Sequence, residues 1–255
     1  MKNIRLLRHG QSAANAGAAS RDHATIPLTD KGREQARDIA QSITQAPDLI
    51  IVSPFLRAQD TAAVTASRFP DVPVETWPIE EFTYLAPARC VDTTVAQRKQ
   101  WVDQYWADAD PAYVDGEGAE SLLQRTGRAS AFLDRLAAHP AQAILVFSHG
   151  QFLSLVAWLI EGGPAPIDGQ AMREWRRYEI DNHLANGGSY RISRTQDDSA
   201  WETHHPRKSF IDRNPKEKAV EAAFAALARN HYESDRPDPA DNAFAVVERL
   251  MRKGR

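Results

Sequence analysis

The chain has very little cysteine and no long apolar run. Cys90 is the only cysteine among 255 residues, so no disulfide can form within the chain, and metal sites built from several thiolates are excluded. No stretch approaches the roughly 18 consecutive apolar residues that indicate a membrane span, and residues 1–7 lack the apolar core of a signal peptide. We therefore expect a cytoplasmic protein with no membrane partner.

The chain also lacks an excess of positive charge. Its 31 basic and 34 acidic side chains give a formal charge of −3, whereas domains that bind nucleic acids are usually basic. We therefore expect no nucleic-acid partner. Lysine is scarce, since 24 of the 31 basic residues are arginine and 7 are lysine. Arginine suits phosphate recognition, but a biased genome composition produces the same excess, so the count by itself indicates no site.

Apolar runs alternate with amphipathic segments along the first three quarters of the chain. The runs predict strands at residues 4–7, 49–52, 72–75 and 143–147, and the helical periods predict helices at 34–44, 56–69, 94–106, 120–139 and 152–160. Strands that alternate with helices predict an α/β protein, a three-layer α/β/α sandwich with a mostly parallel sheet. Residues 176–181 and 189–193 are predicted as two late strands, joined as a hairpin around Asn186, Gly187 and Gly188.

The composition changes near residue 194, which divides the chain into two predicted parts. Residues 1–194 form the main domain, and residues 195–255 form a polar linker followed by a helical hairpin, with helices at 215–232 and 239–252. Helices this short need packing to be stable. We expect the extension either to cover a face of the domain or to pair with a second copy as a homodimer. A position over the mouth of the pocket is the less favoured alternative.

Basic and nucleophilic side chains follow three of the apolar strands. Arg8 and His9 follow the first strand, Arg57 comes shortly after the second, and His149 follows the fourth. In an open α/β sheet the ligand crevice lies at the carboxyl ends of the strands, so these four side chains can converge. Two guanidinium groups and two imidazoles repel one another unless an anion lies between them, and a phosphoryl group suits the arginine fork. For each residue alone, a surface charge or a turn histidine is the competing interpretation.

Four motifs in register resemble the histidine phosphatase superfamily, which has the phosphoglycerate-mutase-like fold. The resemblance covers residues 2–193. The motifs are Leu7-Arg8-His9-Gly10-Gln11-Ser12 with Asn15, Leu28-Thr29-Asp30-Lys31-Gly32-Arg33-Glu34-Gln35-Ala36, Ser53-Pro54-Phe55-Leu56-Arg57-Ala58-Gln59-Asp60-Thr61-Ala62, and Phe147-Ser148-His149-Gly150.

The resemblance implies a role for each residue of the basic cluster. His9 would be the nucleophile and would form a phosphohistidine, while Arg8, Arg57 and His149 would neutralise charge on the phosphoryl oxygens. Asn15 would hydrogen bond to the phosphate. No metal or other cofactor is expected, because the cationic side chains supply the positive charge. Further residues are expected at the phosphate or substrate: Gln11, Ser12, Gly150 and Glu80.

The proton donor is less clearly defined by the sequence. The superfamily places a carboxylic acid after the third strand in a Leu-x-Glu pattern, and Ile79-Glu80-Glu81 offers two candidates. With Ile79 in the apolar position, Glu81 is the match and Glu80 the alternative. The chosen residue would protonate the leaving alkoxide and then accept a proton from water.

Within the superfamily we expect a phosphatase. The segment after Glu81 offers only Arg89, Arg98 and Lys99 as bases, and the segment after the first motif has no tryptophan, which favours hydrolysis over phosphoglycerate mutase activity. A small-molecule phosphomonoester or a phosphoprotein, such as one carrying phosphohistidine, is the expected substrate. A scaffold that binds a phosphorylated ligand is the alternative from another class.

Overall fold

A six-stranded sheet forms the centre of the protein, in a computed structural model that describes residues 1–195 and 200–204. The strand order is β3-β2-β4-β1-β5-β6. The strands are β1 (Lys2–Arg8), β2 (Leu49–Val52), β3 (Val74–Thr76), β4 (Ala143–Ser148), β5 (Ser189–Arg194) and β6 (Glu202–His204). The helices are α1 (Asp30–Ser42), α2 (Leu56–Arg68), α3 (Pro87–Cys90), α4 (Lys99–Asp108), α5 (Leu122–Ala138), α6 (Gly150–Ile160) and α7 (Gly169–Asp181).

The four strands on one side of the sheet run parallel, and their carboxyl ends coincide. β1 pairs with β4 so that Arg8 lies beside Ser148, and β2 pairs with β4 so that Val52 lies beside Phe147. β3 is parallel to β2, whereas β5 is antiparallel to β1 and β6 to β5. The residues that follow β1, β2 and β4 therefore leave the sheet at one edge, where a ligand crevice is expected.

Each central strand is apolar on both faces, which gives the protein two cores. Alternate side chains of a strand point to opposite faces, so Leu49 and Ile51 pack on one side and Ile50 and Val52 on the other. Helices α1 and α2 cover the second face, and α5, α6 and α7 contribute to the larger core on the first. The predicted α/β sandwich with its central, mostly parallel sheet is confirmed.

The helices near the site begin at side-chain caps that the sequence provides. Thr29 caps α1 by accepting a hydrogen bond from the Gly32 amide, 3.1 Å away. Ser121 and Gln124 form a capping box at the start of α5, with contacts of 3.1 and 2.8 Å. Such a box satisfies amides that lack partners within the helix, so the start of α5 is well defined.

The predicted hairpin of strands 176–181 and 189–193 is wrong, because its first arm belongs to helix α7. Asp168 caps this helix by accepting a hydrogen bond from the Ala171 amide at 2.8 Å. Ala171, Met172 and Trp175 are buried along its inner face at helical spacing, a period that a six-residue window cannot show. The second predicted strand is present as β5, which pairs with β1 instead.

The sheet continues past the predicted domain boundary at residue 194. Strand β6 lies in the segment assigned to the polar linker, and its Thr203 pairs with Ile192 of β5. The predicted C-terminal helices, at residues 215–232 and 239–252, lie outside the described residues. Among the residues that are described, no helix is long and apolar enough to cross a membrane.

Candidate active site

The basic residues singled out in the sequence meet at the carboxyl edge of the sheet. His9 leaves the end of β1 and His149 the end of β4, and their ring centroids are 5.1 Å apart. Arg57, in the first turn of α2, places its Nε 3.1 Å from His9 Nε2. The predicted convergence of these side chains is thus observed, since the three elements begin or end at neighbouring positions.

Two hydrogen bonds define the protonation state of His9. Its Nδ1 lies 2.6 Å from the Gly10 carbonyl oxygen, which can only accept. Its Nε2 faces the Nε–H of Arg57, which can only donate. The neutral ring therefore carries its proton on Nδ1 and presents a lone pair at Nε2.

The surroundings of His9 disfavour its protonation. The side chain is only 3% exposed. Burial lowers the pKa of His9 well below its usual value, and the positive charges of Arg57 and Arg8 lower it further, against a smaller opposing effect of the Gly10 hydrogen bond. His9 is therefore neutral at physiological pH, which keeps the Nε2 lone pair available.

His149 is fully buried beside His9. Its Nε2 lies 2.7 Å from Ser53 Oγ, and its Nδ1 has no hydrogen-bond partner among the described residues. Burial lowers the pKa of His149 well below its usual value, and Arg57 and His9 add to the effect. An anion bound beside His149 would oppose this shift, because it favours the protonated form of that ring.

Arg57 keeps its charge although it is nearly buried. Burial lowers the pKa of Arg57 to about 10, with Glu81 opposing the shift, so the guanidinium remains charged at neutral pH. Among the described residues, its hydrogen-bond partners are His9 and the His23 carbonyl oxygen, which lies 2.7 Å from Nη1. Neither partner is a carboxylate, which leaves the charge available to a bound anion.

Arg8 lies across the start of α6. Its Nη1 is 3.1 Å from His183 Nε2 and also donates to the Leu184 carbonyl oxygen. A Cβ atom at Gly150 would lie 3.1 Å from Arg8 Nε and 3.2 Å from its Cζ. The missing side chain at Gly150 thus allows the guanidinium to approach the helix backbone.

The two glutamates after β3 have different surroundings. Glu81 accepts hydrogen bonds from the Gln151 and Phe152 amides at the start of α6, each 3.2 Å long. Glu80 instead pairs with Arg128 at 3.3 Å. Only Glu81 is attached to the helix that follows His149, and it also acts electrostatically on Arg57.

The loop after β1 holds the remaining predicted residues. Asn15 Oδ1 accepts hydrogen bonds from the Ser12 amide, the Ser12 hydroxyl and Asn186 Nδ2, at 3.2, 3.0 and 3.1 Å. Its amide nitrogen is thus the group left to contact an anion. Gln11 points to α1, where its Oε1 accepts from Thr29 Oγ1 at 2.9 Å. Ser12 and Gln11 therefore shape the loop in this structure.

Three residues near the site carried no functional prediction. Asn186 donates to the His9 carbonyl oxygen at 3.2 Å, and His183, interpreted from the sequence as structural, contacts Arg8. Neither position has a local sequence signal. Arg125 does have a local sequence signal, because it lies on the same buried face of α5 as Leu122 and Ala129. A charged residue in an apolar row is a detectable exception.

Comparisons with known proteins identify the family. The family model for the histidine phosphatase superfamily (branch 1) matches residues 4–198, so the chain belongs to this superfamily. The expected membership, and with it the expectation of a phosphatase-class enzyme, is confirmed.

The relatives include proteins named as phosphatases and proteins named as probable phosphoglycerate mutases. An adenosylcobalamin/alpha-ribazole phosphatase of Escherichia coli is 30% identical over 167 residues, covering 63% of this chain and 79% of the relative. A probable phosphoglycerate mutase GpmB of Yersinia pestis is 30% identical over 168 residues, covering 65% of this chain and 77% of the relative. The crystal structure of an alpha-ribazole phosphatase from Shigella flexneri has a TM-score of 0.63 at 24% identity, covering 83% of this chain and 100% of that one. At this identity the structural likeness shows the fold alone.

Proposed function

We propose that the protein hydrolyses phosphomonoesters through a phosphohistidine formed on His9. The observation that carries the proposal is the state of His9, which is buried and neutral and directs an unprotonated Nε2 toward Arg57. A group that only bound phosphate would gain from a charged histidine, whereas a nucleophile needs the lone pair.

In the first step, His9 Nε2 attacks phosphorus and the bond from phosphorus to the ester oxygen breaks. The electron pair of that bond moves to the leaving oxygen, which takes a proton from the carboxyl group of Glu81. Arg57 turns its Nε–H from His9 to a phosphoryl oxygen, and Arg8 and His149 neutralise the other oxygens. The Gly10 carbonyl stabilises the proton on Nδ1 of the phosphorylated ring.

In the second step, water replaces the leaving group. The Glu81 carboxylate takes a proton from water, the water oxygen attacks phosphorus, and the bond from phosphorus to Nε2 breaks. The electron pair returns to the imidazole, so the resting state is restored with orthophosphate bound. Glu81 is favoured over Glu80 because Glu80 is paired with Arg128, whereas the amides at the start of α6 hold Glu81 beside the site.

Small phosphomonoesters are the proposed substrate class. The support comes from the buried position of His9 and from the named phosphatases among the relatives, one of which is named an adenosylcobalamin/alpha-ribazole phosphatase. A phosphoprotein substrate requires its phosphoryl group to reach the same buried atom. The homodimer, the absence of a nucleic-acid partner and the cytoplasmic location stay predictions.

The His9→Ala substitution tests the nucleophile. We expect loss of p-nitrophenyl phosphate hydrolysis by at least about a thousandfold, because the substitution removes the nitrogen that would bond to phosphorus. Circular dichroism checks that the fold is intact, and rapid alkaline quenching of the unsubstituted protein should trap a phosphoryl group on His9. His204→Ala is the matched control, since His204 is exposed on β6. Unchanged turnover in His9→Ala would overturn the mechanism.

Mutase activity is the second candidate, favoured by the relative named as a probable phosphoglycerate mutase. Both reactions share the phosphohistidine and differ in its acceptor. Hydrolysis and phosphoglycerate interconversion should be measured on one preparation. We expect hydrolysis to be faster, and faster interconversion would assign the protein to the mutase side.

A further inference from the structure

A fully buried arginine lies directly behind the proposed proton donor. Arg125 projects from the inner face of α5 and is 0% exposed. Its guanidinium lies over the rings of Phe82 and Trp175, with centroid distances of 4.3 and 4.9 Å. None of its three side-chain nitrogens hydrogen bonds to another described residue. A buried charge is costly without compensation, so a carboxyl group beside Arg125 is stabilised when it ionises.

Glu81 is the carboxylate that Arg125 faces. Arg125 Nη2 lies 3.8 Å from Glu81 Oε1. Burial lowers the pKa of Arg125 to about 10, and Glu81 is the strongest opposing influence, followed by Glu120. The guanidinium is therefore charged at neutral pH.

The other acidic groups near Arg125 already have partners. Glu120 is bound to Arg128 at 2.5 Å, and Glu179 is paired with Arg176. Among the described residues, the close hydrogen-bond donors to Glu81 are in contrast all backbone amides. The distance of 3.8 Å is within electrostatic reach but longer than a hydrogen bond. The Arg125 contact can therefore strengthen when Glu81 gains negative charge.

We propose that Arg125 is a positioning residue that acts through Glu81. When Glu81 transfers its proton to the leaving oxygen, the electron pair of its O–H bond stays on the carboxylate that faces Arg125. The buried guanidinium then stabilises this charge, and it does so more in the transition state than in the bound substrate, which is the condition for faster chemistry. The proposal rests on the proposed function, because it presumes that Glu81 donates the proton.

The leaving group provides a readout that a purely structural role would not change. p-Nitrophenolate departs without a proton, whereas a simple alkoxide needs one in the transition state. For Arg125→Met, which keeps an unbranched side chain against the two rings, we expect kcat/KM to fall at least about tenfold more for an alkyl phosphate such as glycerol phosphate than for p-nitrophenyl phosphate. An equal loss on the two substrates would mean that Arg125 only supports the fold.

Glu81→Gln separates this inference from the proposed function. We expect it to show the same selective loss of kcat/KM on the alkyl phosphate. The double variant should have nearly the same kcat/KM as Glu81→Gln alone, because both substitutions disable the same proton transfer. If Glu81→Gln affects both substrates equally, the proton-donor assignment is wrong. If Glu81→Gln is selective and Arg125→Met is not, only the Arg125 inference is wrong.

Arg135→Met is the matched control. Arg135 lies on the same helix and also stacks on an aromatic ring, 3.8 Å from the Trp77 centroid, but it pairs with Glu75 at 3.5 Å. We expect it to leave the ratio of the two kcat/KM values unchanged. If Arg125→Met fails to fold, Arg125→Lys can be used instead, because it keeps the positive charge. We expect its kcat/KM to fall more for the alkyl phosphate than for p-nitrophenyl phosphate, but by a smaller factor than in Arg125→Met. An equal loss on both substrates in Arg125→Lys would also contradict the inference.

Discussion

At the scale of single residues, neighbouring groups decide what each side chain of the site can do. A histidine after a strand is ambiguous in sequence, because either ring nitrogen can carry the proton. In the folded chain, the Gly10 carbonyl and the Arg57 guanidinium remove the ambiguity for His9. Glu80 and Glu81 are adjacent in sequence, yet Arg128 engages one and the start of α6 the other. These differences arise from residues far away in the chain, so the sequence leaves both glutamates as candidates.

The close approach of Arg8 to Gly150 gives a prediction at this scale. Gly150→Ala would place a Cβ 3.1 Å from Arg8 Nε, which requires the guanidinium to shift by a few tenths of an ångström. We expect kcat/KM for p-nitrophenyl phosphate to fall about tenfold or more, since small displacements of phosphate-binding groups are costly. Inhibition by orthophosphate should weaken in parallel.

Gly127→Ala is the control for this substitution. Gly127 lies within α5, and a Cβ there meets nothing within 4 Å. Turnover should stay unchanged, and the free energy of unfolding should rise by about 0.5–1 kcal/mol because glycine is unfavourable inside a helix. Equal turnover in the two alanine variants would show that Arg8 tolerates the added methyl group.

At the scale of secondary structure, helix α5 supports both glutamates from one side of the sheet. It carries Arg125 toward Glu81 and Arg128 toward Glu80. Its helical period and the proline after it allow the sequence to predict it over residues 120–139, close to the observed Leu122–Ala138. The sequence does not show that two of its arginines face the site, because that depends on how the helix packs.

The capping box of α5 should contribute measurably to stability. Ser121→Ala removes the oxygen that accepts from the Gln124 amide, so we expect the free energy of unfolding to fall by about 1 kcal/mol in urea titrations. Ser130→Ala, the same substitution at an exposed site within α5, should leave stability unchanged or slightly higher. If both substitutions had the same effect, the cap would contribute nothing.

At the scale of the whole molecule, two neutral histidines held among arginines make the fold sensitive to acid. His9 and His149 both have pKa values well below the usual range. Below about pH 6.5 the unfolded chain therefore binds more protons than the folded chain. The stability that comes from keeping both rings neutral is fully present above that pH and is lost as the pH falls.

We expect the free energy of unfolding to decrease by about 1 kcal/mol per histidine for each pH unit below 6.5. Urea unfolding at pH 7.5 and 5.5, in a buffer without phosphate, measures the change. His149→Gln should lose about half of this dependence, because one titrating group is removed. The same dependence in both proteins would show that other groups cause it.

The sequence by itself determined the fold class, the superfamily and the four basic residues of the site. These features depend on the local spacing of apolar residues and on short motifs at the ends of strands. Both can be recognised within a single segment of the sequence. It also predicted α7 as part of a hairpin, because six residues are too few to distinguish a strand from the exposed side of a helix.

Only the tertiary structure decided the lone pair on His9, the separate partners of Glu80 and Glu81, and the place of Arg125 behind the proposed acid. Each of these depends on contacts between segments that are distant in sequence, and on burial, which changes the energy of a charge. The scarcity of cysteine and lysine excluded several kinds of site at the start. The packing then placed three particular arginines, Arg8, Arg57 and Arg125, beside the proposed nucleophile and the proposed proton donor.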